Sequence, residues 1–232
     1  MKLLFNCFLF LTVLNVFAQE TKPVSPMVAV DSLYREDQFY FGFTYNTLIN
    51  KPDGLVQNKF SSGFSGGFLR DMPFNKKRTF AVAAGLGLSY NKTFQNLLIS
   101  RNNQTIEYTT IEPGADFDKN KIDQIFIDVP LEFRWRNSTP ESTKFWRAYT
   151  GFKISYMVMD KYVHSESAYK TVIKSNDDIN KLRLGTYLAA GYNTWNFFVY
   201  YGITPIFKSS AKLNGQDIGL NSLNFGLMFY IL

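Results

Sequence analysis

The sequence predicts an all-β protein, an eight-stranded antiparallel up-and-down transmembrane β-barrel preceded by a cleavable signal peptide. Three observations predict it. Apolar and polar residues alternate with a period of two along nearly the whole chain after the leader, and a strand sends successive side chains to opposite faces. The connections alternate between short and long, as in barrels with turns at one rim and loops at the other. Of an unusual aromatic content of 23 Phe, 14 Tyr and 3 Trp, most strand Phe and all three Trp fall on one face of the alternation, while most strand charges fall on the other.

The leader comes first. Lys2 precedes an apolar stretch from Leu3 to Phe17, and Val16 and Ala18 are the small residues before a cleavage site at Ala18/Gln19. This is the layout of a secretory signal peptide, residues 1–18. Cys7 lies inside the apolar stretch rather than at the cleavage point, which argues against a lipoprotein. Residues 19–37 form a polar, Pro23- and Pro26-containing periplasmic lead-in, and 38–232 the barrel domain.

Eight strands follow. In 38–49, Phe39, Phe41, Phe43 and Tyr45 oppose Tyr40, Gly42, Thr44 and Asn46. In 60–70, Phe60, Phe64 and Phe68 alternate with Ser and Gly, and in 79–92 Phe80, Val82, Leu86, Leu88 and Tyr90 alternate with Ala, Gly and Ser. In 123–136, Ile125 to Trp135 oppose Asp128, Pro130, Glu132, Arg134 and Arg136. In 145–159, Trp146 to Val158 oppose Arg147, Tyr149, Lys153 and Ser155. The segments 181–193, 195–207 and 218–232 repeat the pattern, with Arg183 on the polar face of the first. Pro130 cannot donate to a ladder, so a bulge is expected there. The connections 71–78, 137–144 and 193–194 are short; 50–59, 93–122, 160–180 and 208–217 are longer and polar. With the N-terminus in the periplasm, the long loops point outside. The run Leu97, Leu98, Ile99 predicts that the strand pair around 93–122 extends beyond the membrane.

Physical chemistry decides which face meets lipid. A soluble barrel would bury Asp128, Glu132, Arg134, Arg136, Arg147, Lys153 and Arg183 against an apolar interior, at a large desolvation cost for each ion. It would also show four aromatics of one strand to water. Lipid outside and a polar interior satisfies both sets. Tyr45, Tyr90, Trp135, Trp146, Tyr192 and Trp195 fall near strand ends, where amphipathic rings form an aromatic girdle at the headgroups. Eight strands leave room only for side chains, so the interior charges must pair. A symmetric turn at 137–144 places Asp128 across from Lys153 and Glu132 diagonal to Arg147, a salt-bridge network tying the fourth and fifth strands. The predicted role of that network is a structural plug; the alternative is a proton or ion path.

The chemistry the sequence excludes is equally informative. One Cys and one His leave no disulfide framework, thiolate zinc site or histidine metal cluster. Asp128 and Glu132 are roughly 13 Å apart along a strand, too far for a retaining glycosidase pair. His164 falls in a predicted external loop and reads as solvated. Gly63, Gly66, Gly67, Gly85 and Gly87 lie in strands, with no helix to make a phosphate loop; they let bulky neighbours fit inside. No enzyme activity and no cofactor are expected. The net charge of +6 is spread along an exported chain, which excludes nucleic acid as a partner. Lys76, Lys77 and Arg78 form a basic periplasmic turn facing phospholipid headgroups.

The ending Asn224–Ile231, with Gly226, Phe229 and Ile231 at the spaced positions, looks like the insertion signal read by the barrel-assembly machinery; it ends in Leu232 rather than the commoner Phe. Together with IDVPLEFRWR (127–136), FWRAYTGFKISY (145–156), YNTWNFFVYYG (192–202) and GLMFYIL (226–232), it resembles PorT-family outer-membrane barrels of Bacteroidota over essentially the whole mature chain. The resemblance implies a porin-like barrel in the bacterial outer membrane and a link, through the namesake, to type IX secretion and gliding. It assigns no functional residue. The expected protein is a small, non-enzymatic barrel contacting outer-membrane lipid and a protein partner at its loops or periplasmic rim. The alternatives are a type IX secretion accessory and a narrow transport channel.

Overall fold

The computed structural model describes residues 37–231 apart from 58, 104, 113, 138–144 and 168. The predicted signal peptide, all of the lead-in except Asp37, the turn beyond Asn137 and Leu232 lie outside the described residues. Among the described residues thirteen strands run β1 (38–49), β2 (62–73), β3 (80–94), β4 (97–102), β5 (105–110), β6 (119–136), β7 (146–166), β8 (169–174), β9 (182–192), β10 (195–202), β11 (212–213), β12 (216–217) and β13 (221–231). Eight of them, β1, β2, β3, β6, β7, β9, β10 and β13, pair with their neighbours in that order, and β13 closes on β1. Every pairing is antiparallel, so the barrel is closed and all-β.

The alternation determines which side chains face out. Phe39, Phe41 and Phe43 of β1, Leu86 and Leu88 of β3, and Phe197 of β10 are exposed on the outer wall. Their neighbours Tyr40, Ala83 and Phe198 are buried inside. Glycines make room for the inward rings. A Cβ on Gly87 would collide with the Tyr40 hydroxyl, and one on Gly185 with the Tyr200 ring. A small residue on one wall therefore lets a tyrosine cross from the other.

Four sequence expectations need correction. The bulge is not at Pro130: the β6–β7 register shifts between Ile125 and Phe126, where Val158 and Met159 both face outward, while Pro130 stays in register opposite Lys153. The β3–β6 ladder skips the two pairs beside Pro130, between Ala84↔Leu131 and Gly87↔Asp128, with its register unchanged. A missing N–H is absorbed by dropping pairs, without inserting a residue. Second, β2 runs to Pro73, so Asp71 is a strand residue rather than the start of a turn. Third, β10 stops at Gly202, before Pro205.

Fourth, the long loops are folded. β4 and β5 form a hairpin, β8 pairs with the far end of β7, and β11 and β12 pair with each other. Leu97, Ile99, Tyr108, Ile173, Ile179, Phe207, Leu213 and Ile218 belong to one apolar core above the barrel mouth, continuous with Phe126 and Met157 of the wall. Buried amides tie the pieces together. Asn120 Nδ2 donates to the carbonyls of Gln95 (2.6 Å) and Leu97 (2.9 Å). Asn96 accepts from Val56 N (2.7 Å) and donates to Gly54 O (2.8 Å), holding the first loop. His164, read as solvated, is half-buried in β7 with Nδ1 3.3 Å from Asn120 Oδ1. This crown gives the molecule a second core, distinct from the cluster of Tyr40, Leu69, Tyr149, Tyr187, Phe198 and Tyr230 inside the barrel.

Candidate functional site

The polar faces of the strands bring their charges together inside the barrel. At the short-turn end, Asp71 of β2 accepts two bonds from Arg136, Nη1 at 2.9 Å and Nη2 at 2.8 Å, and one from Arg134 Nη1 at 3.0 Å. Arg136 Nε donates to Arg78 O (3.0 Å) and Arg134 Nε to Glu132 (2.7 Å). Glu132 also accepts from the Tyr187 hydroxyl at 2.8 Å. The side chains of Asp71, Arg134 and Arg136 are fully out of solvent. Bidentate guanidinium–carboxylate geometry is the arrangement that best offsets the desolvation of both ions. The network therefore ties β2, β6 and β9.

Further up the barrel, Lys153 Nζ lies 3.3 Å from Asp128, which accepts a 2.5 Å bond from Ser155. Lys153 also sits 4.6 Å over the Tyr200 ring. The predicted pairings change here because the ladder runs to Arg136↔Arg147, two residues from the symmetric register. Asn137 fixes that end, donating N–H to Trp146 O (3.2 Å) and accepting from Trp146 N (2.8 Å). Asp128 thus faces Ser155 and reaches Lys153 diagonally, and Glu132 faces Gly151. Arg147 does not meet Glu132; its guanidinium lies against the rings of Phe145 (4.5 Å), Tyr230 (5.7 Å) and Tyr149 (5.8 Å). Arg183 stands apart too, bonded to Gln124 Oε1 (3.3 Å) and Asn180 O (3.2 Å) and stacked on Phe126 (4.9 Å). Such ring contacts are cation–π interactions.

Sequence reasoning missed Asp71, the acceptor at the centre of the lower network. Its signal was present: Gly67, Leu69 and Asp71 share one parity, and continuing the alternation past Arg70 places Asp71 inside. Little space remains between the charged layers. Two cavities, one beside Tyr40, Glu132 and Tyr230 and one beside Asn91, Ser155 and Asn224, each hold about 20 Å³. That is enough for roughly one water molecule.

The remaining sequence-predicted residues lie on the wall. Trp135, Trp146, Tyr192 and Trp195 are exposed outward at the short-turn end, with Trp146 and Tyr192 ring centroids 5.4 Å apart. Tyr45 and Tyr90 are half-buried toward the long-loop end, and the Tyr90 hydroxyl donates to Asp123 at 2.7 Å. In β13, Asn224 points inward, Phe229 packs on Trp195 (4.9 Å) and Ile231 is exposed. A Cβ on Gly226 would strike the Phe43 carbonyl. Among the described residues no group of three or more His, Cys, Asp or Glu could hold a metal ion.

A closed eight-stranded barrel, apolar outside and filled with ion pairs inside, defines the class of small membrane-spanning β-barrels. The chain belongs to the outer membrane protein beta-barrel domain family, whose model matches residues 17–208. Among solved structures it is similar to Ail, the attachment invasion locus protein of Yersinia pestis, at 13% identity and a TM-score of 0.39, covering 85% of this chain and 99% of that one. A second structure of Ail, in complex with the heparin analogue sucrose octasulfate, is similar at 12% identity and a TM-score of 0.35, covering 84% and 97%. No curated protein matches the chain.

Proposed function

We propose that the protein is a non-enzymatic outer-membrane scaffold that acts through its surfaces. It is exported by a signal peptide cleaved near Ala18 and inserted through the signal around Asn224, Gly226, Phe229 and Ile231. The short turns and the Trp135, Trp146, Tyr192 and Trp195 belt face the periplasm. The crown faces the cell exterior and presents the partner-binding surface. One observation carries this reading: the barrel interior is filled by two ion-pair layers, with a cavity of about 20 Å³ between them and another of about 20 Å³ beyond the upper one. Such an interior favours a plug over a transport route, because an ion crossing it would have to break buried pairs at several kcal/mol each. The test is single-channel recording of the purified barrel in a planar bilayer. Silence at all voltages is expected; discrete steps abolished by Lys153→Met would sink the scaffold reading.

The resemblance of Val129–Phe133 and its flanks to PorT-family barrels favours a second reading, an accessory of type IX protein secretion. Pro130 and Glu132 of that stretch both face the barrel interior, and Glu132 joins the lower network. Deleting the gene and measuring proteins released to the medium separates the two. Unchanged release favours the scaffold, and loss of release favours the accessory.

A further inference from the structure

We propose that the outer wall at the long-loop end carries a docking platform for the phosphorylated headgroup of an outer-leaflet glycolipid. Strand register brings the charges together. Lys92 of β3, Asp123 of β6, Lys161 of β7 and Lys174 of β8 are successive cross-strand partners and share one face. Two residues further along β6, Lys121 pairs with Val163, which pairs with Val172. Two further on, Lys119 pairs with Ser165, which pairs with Lys170. Six lysines therefore project from one face of four adjacent strands, against the single carboxylate of Asp123. At ~4.8 Å between strands and ~7 Å between alternate residues, the patch spans roughly 14 Å in each direction.

Two features point to an anionic lipid rather than to a merely solvated surface. Asp123 is already engaged by Lys121 Nζ (2.6 Å) and the Tyr90 hydroxyl (2.7 Å), while Lys161 and Lys174 stand directly opposite each other. Like charges in that position are destabilising unless an anion lies between them. The platform also continues directly into the lipid-facing wall. Below it on the same strands come Tyr90 and the exposed Leu88, Ile127 and Tyr156. A molecule with acyl chains and phosphates would span both. On the opposite wall at this end, the outward residues Thr47, Ile49, Tyr201, Ile203 and Leu223 carry no charge. The platform is thus one-sided, as a site is and a general headgroup collar is not.

This inference rests on the reading that the crown faces outward. Cysteine introduced at Ser210 and labelled by an impermeant maleimide on intact cells tests that reading separately. The platform itself is tested in mixed micelles, where orientation plays no part. The folded barrel is titrated with diphosphorylated lipid A, with its dephosphorylated form and with inorganic pyrophosphate. The expected result is saturable, salt-sensitive binding of the diphosphorylated lipid alone. At roughly fivefold for each lysine, Lys121→Gln/Lys161→Gln/Lys174→Gln weakens it about 100-fold. The control Lys51→Gln/Lys208→Gln/Lys212→Gln leaves it unchanged. Equal binding of dephosphorylated lipid, equally tight binding of pyrophosphate, or a triple variant within threefold of the parent would each overturn the proposal. If the triple variant does not fold, Lys174→Gln on the exposed β8 replaces it, with a fivefold loss expected and none refuting.

Discussion

Replacing Asp71 by alanine takes one carboxylate from the lower network and leaves two guanidinium groups in place. Asp71 accepts three N–H bonds, at 2.8, 2.9 and 3.0 Å, and its partners' side chains are fully out of solvent. Charge-assisted bonds of this kind contribute about 1.5–3 kcal/mol each in mutational series, so their gross sum overstates the net loss. Breaking a buried pair by removing one partner costs about 3–5 kcal/mol, because the surviving charge stays buried. Asp71→Ala is therefore expected to destabilise the barrel by about 4 kcal/mol. Asp71→Asn retains one acceptor but turns an amide N–H2 toward a guanidinium, and should lose about 2–3 kcal/mol. Removing the whole group, Asp71→Leu/Glu132→Gln/Arg134→Met/Arg136→Met, should cost less than Asp71→Ala alone, since no ion of the lower network is left unpaired. Urea unfolding in lipid vesicles, followed by Trp fluorescence and by gel mobility of unheated samples, measures all three. An Asp71→Ala variant within about 0.5 kcal/mol of the parent would overturn this expectation. So would a quadruple variant weaker than the single one. The pair Lys212–Asp217, half exposed in the crown, is the internal control, and its loss should cost at most about 1 kcal/mol.

Other expectations follow from the same geometry. Gly87→Ala drives a methyl into the Tyr40 hydroxyl and should cost about 1–3 kcal/mol, with part of it recovered by adding Tyr40→Phe in a double-mutant cycle. Leu86→Arg on the outer wall should cost about 2–4 kcal/mol in lipid vesicles, the depth-dependent penalty of a lipid-facing charge. Ile179→Ala should loosen the crown by about 2–5 kcal/mol, seen as faster proteolysis after 160, while the barrel keeps its resistance to SDS. Burial in the crown pushes the Tyr108 phenol upward, with Asp178 beside its hydroxyl adding to the effect and a bond to Asn176 opposing it. A raised folded pKa contributes stability that is present below the unfolded value of about 10 and is lost above it. Crown proteolysis should therefore accelerate as pH rises beyond about 10, and Tyr108→Phe should blunt that rise.

Much of the fold was legible because a strand reports its two faces residue by residue. The run Phe39, Phe41, Phe43 against Tyr40, Gly42, Thr44 needs no partner to show which side is apolar, and the first strand has the bounds the alternation predicts. The parity of Glu132, Arg134 and Arg136 likewise placed them inside before any pairing was known. The crown was legible only at the run Leu97, Leu98, Ile99. Its other core residues, among them Tyr108, Ile179 and Leu213, are separated by polar stretches, and no single segment among them buries a face alone. Their core exists only when four loops converge.

Local alternation alone determined the number of barrel strands, the face turned to lipid and the identity of most buried ions. Tertiary structure decided who pairs with whom. The β6–β7 register, held by Asn137 and Trp146, sends Asp128 to Ser155 and Lys153 and keeps Arg147 on aromatic rings. Asp71 reaches Arg134 and Arg136 across a barrel wall, more than sixty residues away in the chain. A period of two tells inside from outside, but a shift of two residues preserves every face and changes every partner. Only the closed sheet selects among those registers.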